Sequence, residues 1–288
     1  MSIRKVVITA AGLGTRLLSA TKEMPKEMLP LFSTGSNSDL SLKPVLQLIF
    51  EQLYEVGFRE FCFIVGRGKR SIEDQFTPDY SYVELLNRRG KKNLAIELEE
   101  FYNRVKSSVI AWINQPEPKG FGDAVLKAES FVGGDSFLVH AGDTYVISQG
   151  NSHIRRLMHV HEAHGPSATL TLKEVFDPKK LYGCAEVNAD GSALRVVHVV
   201  EKPERPPSNL AIMPIYIFKP EIFEAIRATC PSVGGEIQLT DAIQKLIDAQ
   251  KPVEAIKLRE DEVRLDVGTP ETYWEALATS YKHAKRSG

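Results

Sequence analysis

The segment IRKVVITAAGLGTRLLSATKEMPKEMLP, residues 3–30, decides how the rest of the chain is read. Residues 3–10 are largely apolar, rich in β-branched side chains and bounded by glycine, which predicts a buried strand. Gly12-Leu13-Gly14 follows directly. A strand that runs into Gly-x-Gly presents backbone N–H groups that can approach a phosphate. The stretch is not a dinucleotide fingerprint, because Leu17 stands at the third glycine position, and it lacks the Gly-Lys-Ser/Thr of a P-loop. Taken alone, Gly-x-Gly favours a plain turn with solvated cations around it. Arg16, Lys22 and Lys26 sharpen the phosphate reading, since basic side chains beside a glycine loop would neutralise a polyphosphate.

Outward from this segment, strands and helices alternate. Residues 43–56 carry helical periodicity and stop at Gly57, and 60–65 (EFCFIV) form a second buried strand. A short helix is expected at 69–76, and a polar, charged helical stretch at 81–105 with a break at Arg89-Gly90. Strands at 108–113 and 136–141 flank a helix at 122–131. This alternation predicts an α/β protein with a parallel sheet and helices on both faces. Beyond about residue 165 the strand-like runs 168–175, 183–188, 193–201 and 209–218 crowd together, which predicts a mixed sheet with an antiparallel portion. Helices at 219–228 and 238–249, a strand at 253–258 and a helix at 270–284 complete the chain. STGSNSDLS, residues 33–41, is polar and reads as a mobile loop or insertion, and no internal repeat is present.

The 288 residues fit one large α/β unit with embellishments. Hydrophobic residues at 43% and charged residues at 25% are the balance of a soluble globular protein. A net charge of -1 gives no sign of a nucleic-acid or acidic-membrane partner. No apolar run approaches the roughly 20 residues that span a bilayer, and the N-terminus shows no signal-peptide pattern, so a cytoplasmic protein is expected. Cys62, Cys184 and Cys230 are scattered, without zinc spacing, and Cys62 reads as a buried core thiol. His159, His161 and His164 sit near a helix end, where a solvated surface is favoured over a metal site.

AAGLGTRLLSATKEMPKEMLP closely resembles the signature of bacterial-type UTP–glucose-1-phosphate uridylyltransferases, and more broadly of the sugar-1-phosphate nucleotidylyltransferases. The resemblance continues in family order through GRGKRSIEDQF (66–76), the helical stretch 80–100, NQPEPKGFGDAV (114–125), AGDTYV (141–146) and YGCAEV (182–187). VVEKP (199–203), PSNLAIMPIYIF (207–218), GGEIQLTDAI (234–243) and LDVGTPETYWEA (265–276) complete it. It implies a Rossmann-like nucleotidyltransferase fold with a mixed, mostly parallel sheet. It also implies a single catalytic domain over 1–288 with a helical insertion near 79–106. The chain ends soon after its last helix, so no appended β-helix domain of the kind found in bifunctional relatives is expected. A homodimer or homotetramer is implied.

The family joins a nucleoside triphosphate to a sugar 1-phosphate by in-line attack on the α-phosphorus and releases pyrophosphate. Such chemistry needs positioning and charge neutralisation more than covalent help. By resemblance, the backbone of Ala11, Gly12 and Gly14 cradles the nucleotide, Arg16 engages the triphosphate and Lys26 stabilises charge around the reacting phosphates. Asp143 and Asp266, each after a strand-like piece, look like the pair that holds Mg²⁺, an ion that takes one or two carboxylates with phosphate oxygens and water. Without the resemblance, an Asp that caps the next turn would be favoured at each position. Gln115 and Gly120 look like base-recognition residues, the Gln115 amide being able to donate and to accept. Gly183, Glu201, Lys202 and Asn209 are the sugar-phosphate candidates, and Glu236 is suggestive. Glu201 and Lys202 are adjacent, so both can serve one pocket only if the strand ends or twists there. Two departures stand out: Asp123 where the family usually has His, and Pro214 where it usually has Gly.

The leading expectation is transfer from UTP to glucose 1-phosphate. The Gln-Pro-x-Pro start at Gln115 also resembles thymidylyltransferases, so dTTP, or another hexose 1-phosphate, stays open. A nucleotide-sugar glycosyltransferase is weighed down by the lack of any Asp-x-Asp. A non-catalytic sensor need not keep Arg16, Lys26, Asp143, Lys202 and Asp266 together.

Overall fold

The computed structural model describes residues 3–35, 39–190 and 193–287. Its strands, in chain order, are β1 Lys5–Ala10, β2 Pro30–Thr34, β3 Leu40–Pro44, β4 Glu60–Val65, β5 Val109–Asn114, β6 Phe137–Ala141 and β7 Thr144–Ile147. They continue as β8 Ala168–Glu174, β9 Cys184–Asp190, β10 Ala193–Val200, β11 Leu210–Phe218, β12 Val253–Lys257 and β13 Val263–Asp266. Nine of them form one sheet in the order β5-β4-β1-β6-β11-β8-β12-β10-β9.

The first half follows the strand–helix alternation. β5, β4, β1 and β6 are mutually parallel, so their carboxyl ends lie along one edge. That edge is where open α/β sheets place ligands. β1 and β6 are in register with Thr9 opposite Ala141, and the Gly142 amide donates to the Thr9 carbonyl at 2.9 Å. The glycine turn after β1 and Asp143 after β6 are therefore brought together by strand pairing alone. β1 and β4 are buried along nearly their whole length, as their continuous apolar runs predict for strands covered on both faces.

The second half departs from a mostly parallel sheet. β11 runs antiparallel to both β6 and β8, β10 runs antiparallel to β12 and β9, and only β12 with β8 is parallel. Only two residues of sequence separate β9 from β10, and loops without helices join β8 to β9 and β10 to β11. Such links cannot make the long crossover that parallel neighbours need. Ala211 of β11 also pairs with Cys184 of β9. The register between β11 and β8 shifts between Met213 and Tyr216, across Pro214, whose missing N–H cannot join a ladder.

Most helices fall where periodicity puts them. Val45–Val56 ends at Gly57, and the charged stretch forms Tyr80–Arg88 and Lys92–Lys106, broken at Gly90 with φ 71°. The helix expected over 122–131 is two short pieces, Phe121–Leu126 and Glu129–Val132. The polar 33–41 stretch is partly ordered, because β2 and β3 pair as an antiparallel hairpin that takes in Ser33, Thr34, Leu40 and Ser41; residues 36–38 lie outside the described residues. Cys62 is fully buried, as expected, and burial pushes its thiol up to about 12.

His161 corrects the expectation of a solvated histidine cluster. It is buried under the helix Ser152–His164 and bonds Thr169 Oγ1 at 2.9 Å and Ser136 Oγ at 3.1 Å. Burial pushes it down to about 4. His140 and His153 are also fully buried, and burial pushes them down to about 4 and about 3. The unfolded chain therefore takes up protons near the ordinary value of 6.5 that the folded chain refuses. Stability is fully present above that value and is lost as pH falls below it, by up to about 1.4 kcal/mol per pH unit for each histidine. The urea midpoint should decline from pH 7 to pH 5, before most carboxylates titrate. A flat midpoint over that range would contradict these neutral histidines.

Candidate active site

A cleft of 670 Å³ opens along the carboxyl edge of the sheet, and a recess of 290 Å³ adjoins it beneath the glycine turn. Gly12, Gly14, Lys26 and Asp143 line both. Ala11, Gln115 and Gly120 line the recess; Arg16, Gly183, Glu201, Lys202 and Asp266 line the larger cleft. Of the thirteen residues to which the resemblance gives a firm site role, twelve thus face one continuous space, and Glu236 lines it as well. Asn209 does not: its Nδ2 donates to Glu174 Oε1 at 3.0 Å on the exposed side of β8 and β11. Lys22 lines neither space and is exposed, with its Nζ 3.6 Å from Glu23 Oε1.

Lys26 and Asp143 form the centre. Lys26 Nζ lies 2.5 Å from Asp143 Oδ2, with both side chains largely buried. Burial works against the Lys26 charge, but Asp143 and Glu27 outweigh it and hold the ammonium above its usual value. Burial likewise favours a protonated Asp143, but Lys26, and then Arg264, outweigh it and hold the carboxyl below its usual range. Both directions favour the ionised pair. Behind it, Glu27 is 1% exposed and accepts from Lys69 Nζ at 2.8 Å. Burial raises the Glu27 carboxyl, with Lys69 and Lys26 countering.

Asp266 reaches the centre through a two-stranded ladder. β13 pairs antiparallel with β7, placing Asp266 opposite Thr144, and the Val267 amide donates to the Asp143 carbonyl at 3.0 Å. Two aspartates distant in sequence thus become neighbours. Arg264, two residues earlier on β13, holds Asp266 Oδ1 at 2.9 Å and acts electrostatically on Asp143. Its guanidinium also lies 5.3 Å from the Tyr182 ring centre. Sequence reading missed Arg264, although its place one strand step from Asp266 puts it on the same face. Among the described residues no three acidic, histidine or cysteine side chains gather as a metal cage. Two hard carboxylates beside a phosphate-sized space still suit Mg²⁺, which completes its shell with substrate oxygens and water.

The end of β10 resolves how adjacent residues share one pocket. The strand stops at Val200, and Lys202 adopts a left-handed conformation with φ 43°, which a lysine holds only when its surroundings impose it. The Lys202 amide donates to the Tyr182 carbonyl at 3.1 Å. Glu201 Oε2 accepts from Thr240 Oγ1 at 2.6 Å. A Cβ on Gly183 would stand 3.0 Å from both of those oxygens, so only glycine leaves their bond undisturbed. Pro214 lines the same wall at the bulge in β11.

In the recess, Gly120 has φ 110°, and a Cβ there would meet the Ile237 carbonyl at 2.7 Å. Its close approach narrows the floor beside Gln115. Gln115 is 4% exposed, and its Nε2 donates to Asp123 Oδ2 at 2.7 Å and to the Gly120 carbonyl at 3.3 Å. Asp123 Oδ1 faces Lys127 Nζ at 3.2 Å.

This geometry has known counterparts. The profile of the nucleotidyl transferase family matches residues 5–283. The chain belongs to the nucleotidyl transferase family. Among its relatives is a UTP–glucose-1-phosphate uridylyltransferase of Bacillus subtilis, 39% identical over 252 residues that cover 86% of this chain and 82% of the relative. The enzyme of the same name from Staphylococcus haemolyticus is 38% identical over 272 residues, 92% of this chain and 88% of its own. A crystal structure of a UDP-glucose pyrophosphorylase complexed with UDP-glucose superposes with a TM-score of 0.83 at 30% identity, covering 98% of this chain and 99% of the other. A UTP-bound enzyme from Acinetobacter baumannii superposes with a TM-score of 0.82 at 28% identity, covering 96% and 93%. The family member described here shares their α/β nucleotidyltransferase fold with its mixed sheet.

Proposed function

We propose that the chain transfers a uridylyl group from UTP to glucose 1-phosphate, giving UDP-glucose and pyrophosphate. The observation that carries this reading is the ionised Lys26–Asp143 pair at the junction of a glycine-turn recess and a second chamber ending in Glu201 and Lys202. That arrangement gives one triphosphate and one sugar phosphate a common meeting point. The names of the relatives, which share 38–39% of residues over most of the chain, supply the two substrates.

In this reading the turn Ala11–Gly14 holds the nucleotide, and the recess at Gln115 and Gly120 holds its base. Arg16 and Lys26 neutralise the triphosphate, and Lys202 presents the sugar phosphate while Glu201 accepts from sugar hydroxyls. Asp143 and Asp266 are the residues that would hold Mg²⁺. The ion would supply charge neutralisation at the α-phosphate and leaving pyrophosphate. Lys26, held protonated by Asp143 and Glu27, offers its charge without a proton to give away at neutral pH.

Product analysis by phosphorus NMR, with UTP and dTTP in parallel, tests the reading. UDP-glucose and pyrophosphate in equal amounts, with UTP preferred, are expected. Equal use of dTTP would move the enzyme to the thymidylyltransferase alternative, and no product with any hexose 1-phosphate would overturn it.

A further inference from the structure

Among the described residues Gln115 is the one side-chain amide lining the recess beneath the glycine turn, and its orientation is not free. A carboxylate only accepts hydrogen bonds, so the atom 2.7 Å from Asp123 Oδ2 must be the amide nitrogen. The second N–H is directed at the Gly120 carbonyl. Both donors are thus spent within the protein, and among the described residues none donates to Oε1, which is not sealed from the recess. Lys127 on Oδ1 keeps the carboxylate turned this way. The expectation that Gln115 both donates to and accepts from a base is therefore narrowed to accepting.

We propose that Asp123 is a specificity-determining positioning residue: it locks the Gln115 amide so that the recess presents an acceptor, selecting pyrimidines whose N3 carries a hydrogen. Uracil and thymine have that imide N–H. Cytosine has a lone pair at N3, which would face the Gln115 oxygen with no hydrogen between them, and its 4-amino group could reach that oxygen only if the base shifted from the position uracil takes. A wrong partner at a buried polar contact leaves both groups unpaired, and such sites discriminate strongly. This rests on the reading of the recess as the base site.

Asp123→Asn tests it. The Asn oxygen is drawn to the Lys127 ammonium, the stronger donor, which turns the Asn amide nitrogen toward Gln115 and favours the flipped glutamine over the longer bond to the Gly120 carbonyl at 3.3 Å. The expected result is a rise of about tenfold in KM for UTP, kcat within about twofold of the parent, and a fall of about tenfold or more in preference for UTP over CTP. Gln115→Ala and the double variant complete the experiment. Once Gln115 is gone, Asp123→Asn should change neither KM nor the UTP/CTP ratio further, whereas a merely structural role would persist in that background. Unchanged UTP/CTP preference in Asp123→Asn, with Gln115→Ala still losing it, would overturn the proposal and leave the base site standing. If Gln115→Ala itself leaves UTP use intact, the placement of the base is what fails.

Discussion

Asp143→Asn is expected to lower kcat by about 10³ or more while the fold survives, on the scale of losing one preorganised electrostatic group at a reacting centre. Three roles converge on this residue. It balances the buried Lys26 ammonium at 2.5 Å, it feels Arg264, and its backbone carbonyl anchors the turn that carries Asp266. Asn keeps the shape and one acceptor for Lys26, so the backbone link to Val267 stays and thermal unfolding should shift less than in Asp143→Ala. It loses the charge. A divalent ion would then have Asp266 alone among these two carboxylates, and Lys26 would keep only Glu27 to offset its burial. Activity at saturating Mg²⁺ close to the parent would sink the assignment. Asp143→Ala is the less informative variant, because removing one partner of a buried ion pair costs about 3–5 kcal/mol and confuses folding with chemistry.

Lys202→Ala is expected to raise KM for glucose 1-phosphate roughly 10- to 100-fold, the scale of a lost charge-assisted hydrogen bond, with KM for UTP nearly unchanged. Lys202 is about half-exposed, with its Nζ 3.7 Å from Oε1 of the largely buried Glu201, which keeps the Thr240 hydroxyl on Oε2 when the lysine is removed. Its backbone bond to Tyr182 persists in any residue but proline. Ala also occupies the left-handed conformation less readily than Gly, so Lys202→Gly separates strain from charge. Both variants should show the same rise. If KM for UTP rises instead and sugar-phosphate use is intact, the two lysines have exchanged roles in this account.

The two ends of the chain differed in how well sequence exposed them. β1 and β6 are continuous apolar runs that end in glycine, so the turn at Gly12 and the position of Asp143 could be read directly. The ladder that delivers Asp266 could not, because β7 is too short to register and the strand-like piece before Asp266 does not reveal its partner. Arg264 was hidden for the same reason. Asn209 looked like a sugar ligand through its place in a motif, but the loop before β11 turns its amide to Glu174. His161 read as surface because three histidines share a polar helix end. Only the tertiary partners Thr169 and Ser136 reveal that its face points inward. The antiparallel share of the sheet was underestimated because strand signals say little about direction, which here follows from the lengths of the connecting loops.

In the proposed reaction the cleft brings a sugar phosphate to the α-phosphorus of UTP across the Lys26–Asp143 pair. Pyrophosphate release from UTP, followed with and without glucose 1-phosphate at fixed Mg²⁺, tests it most directly. The account predicts release that depends on glucose 1-phosphate, yields one UDP-glucose per pyrophosphate and disappears on chelation of the metal. Pyrophosphate release at the same rate without the sugar phosphate, or release of orthophosphate in its place, would contradict it.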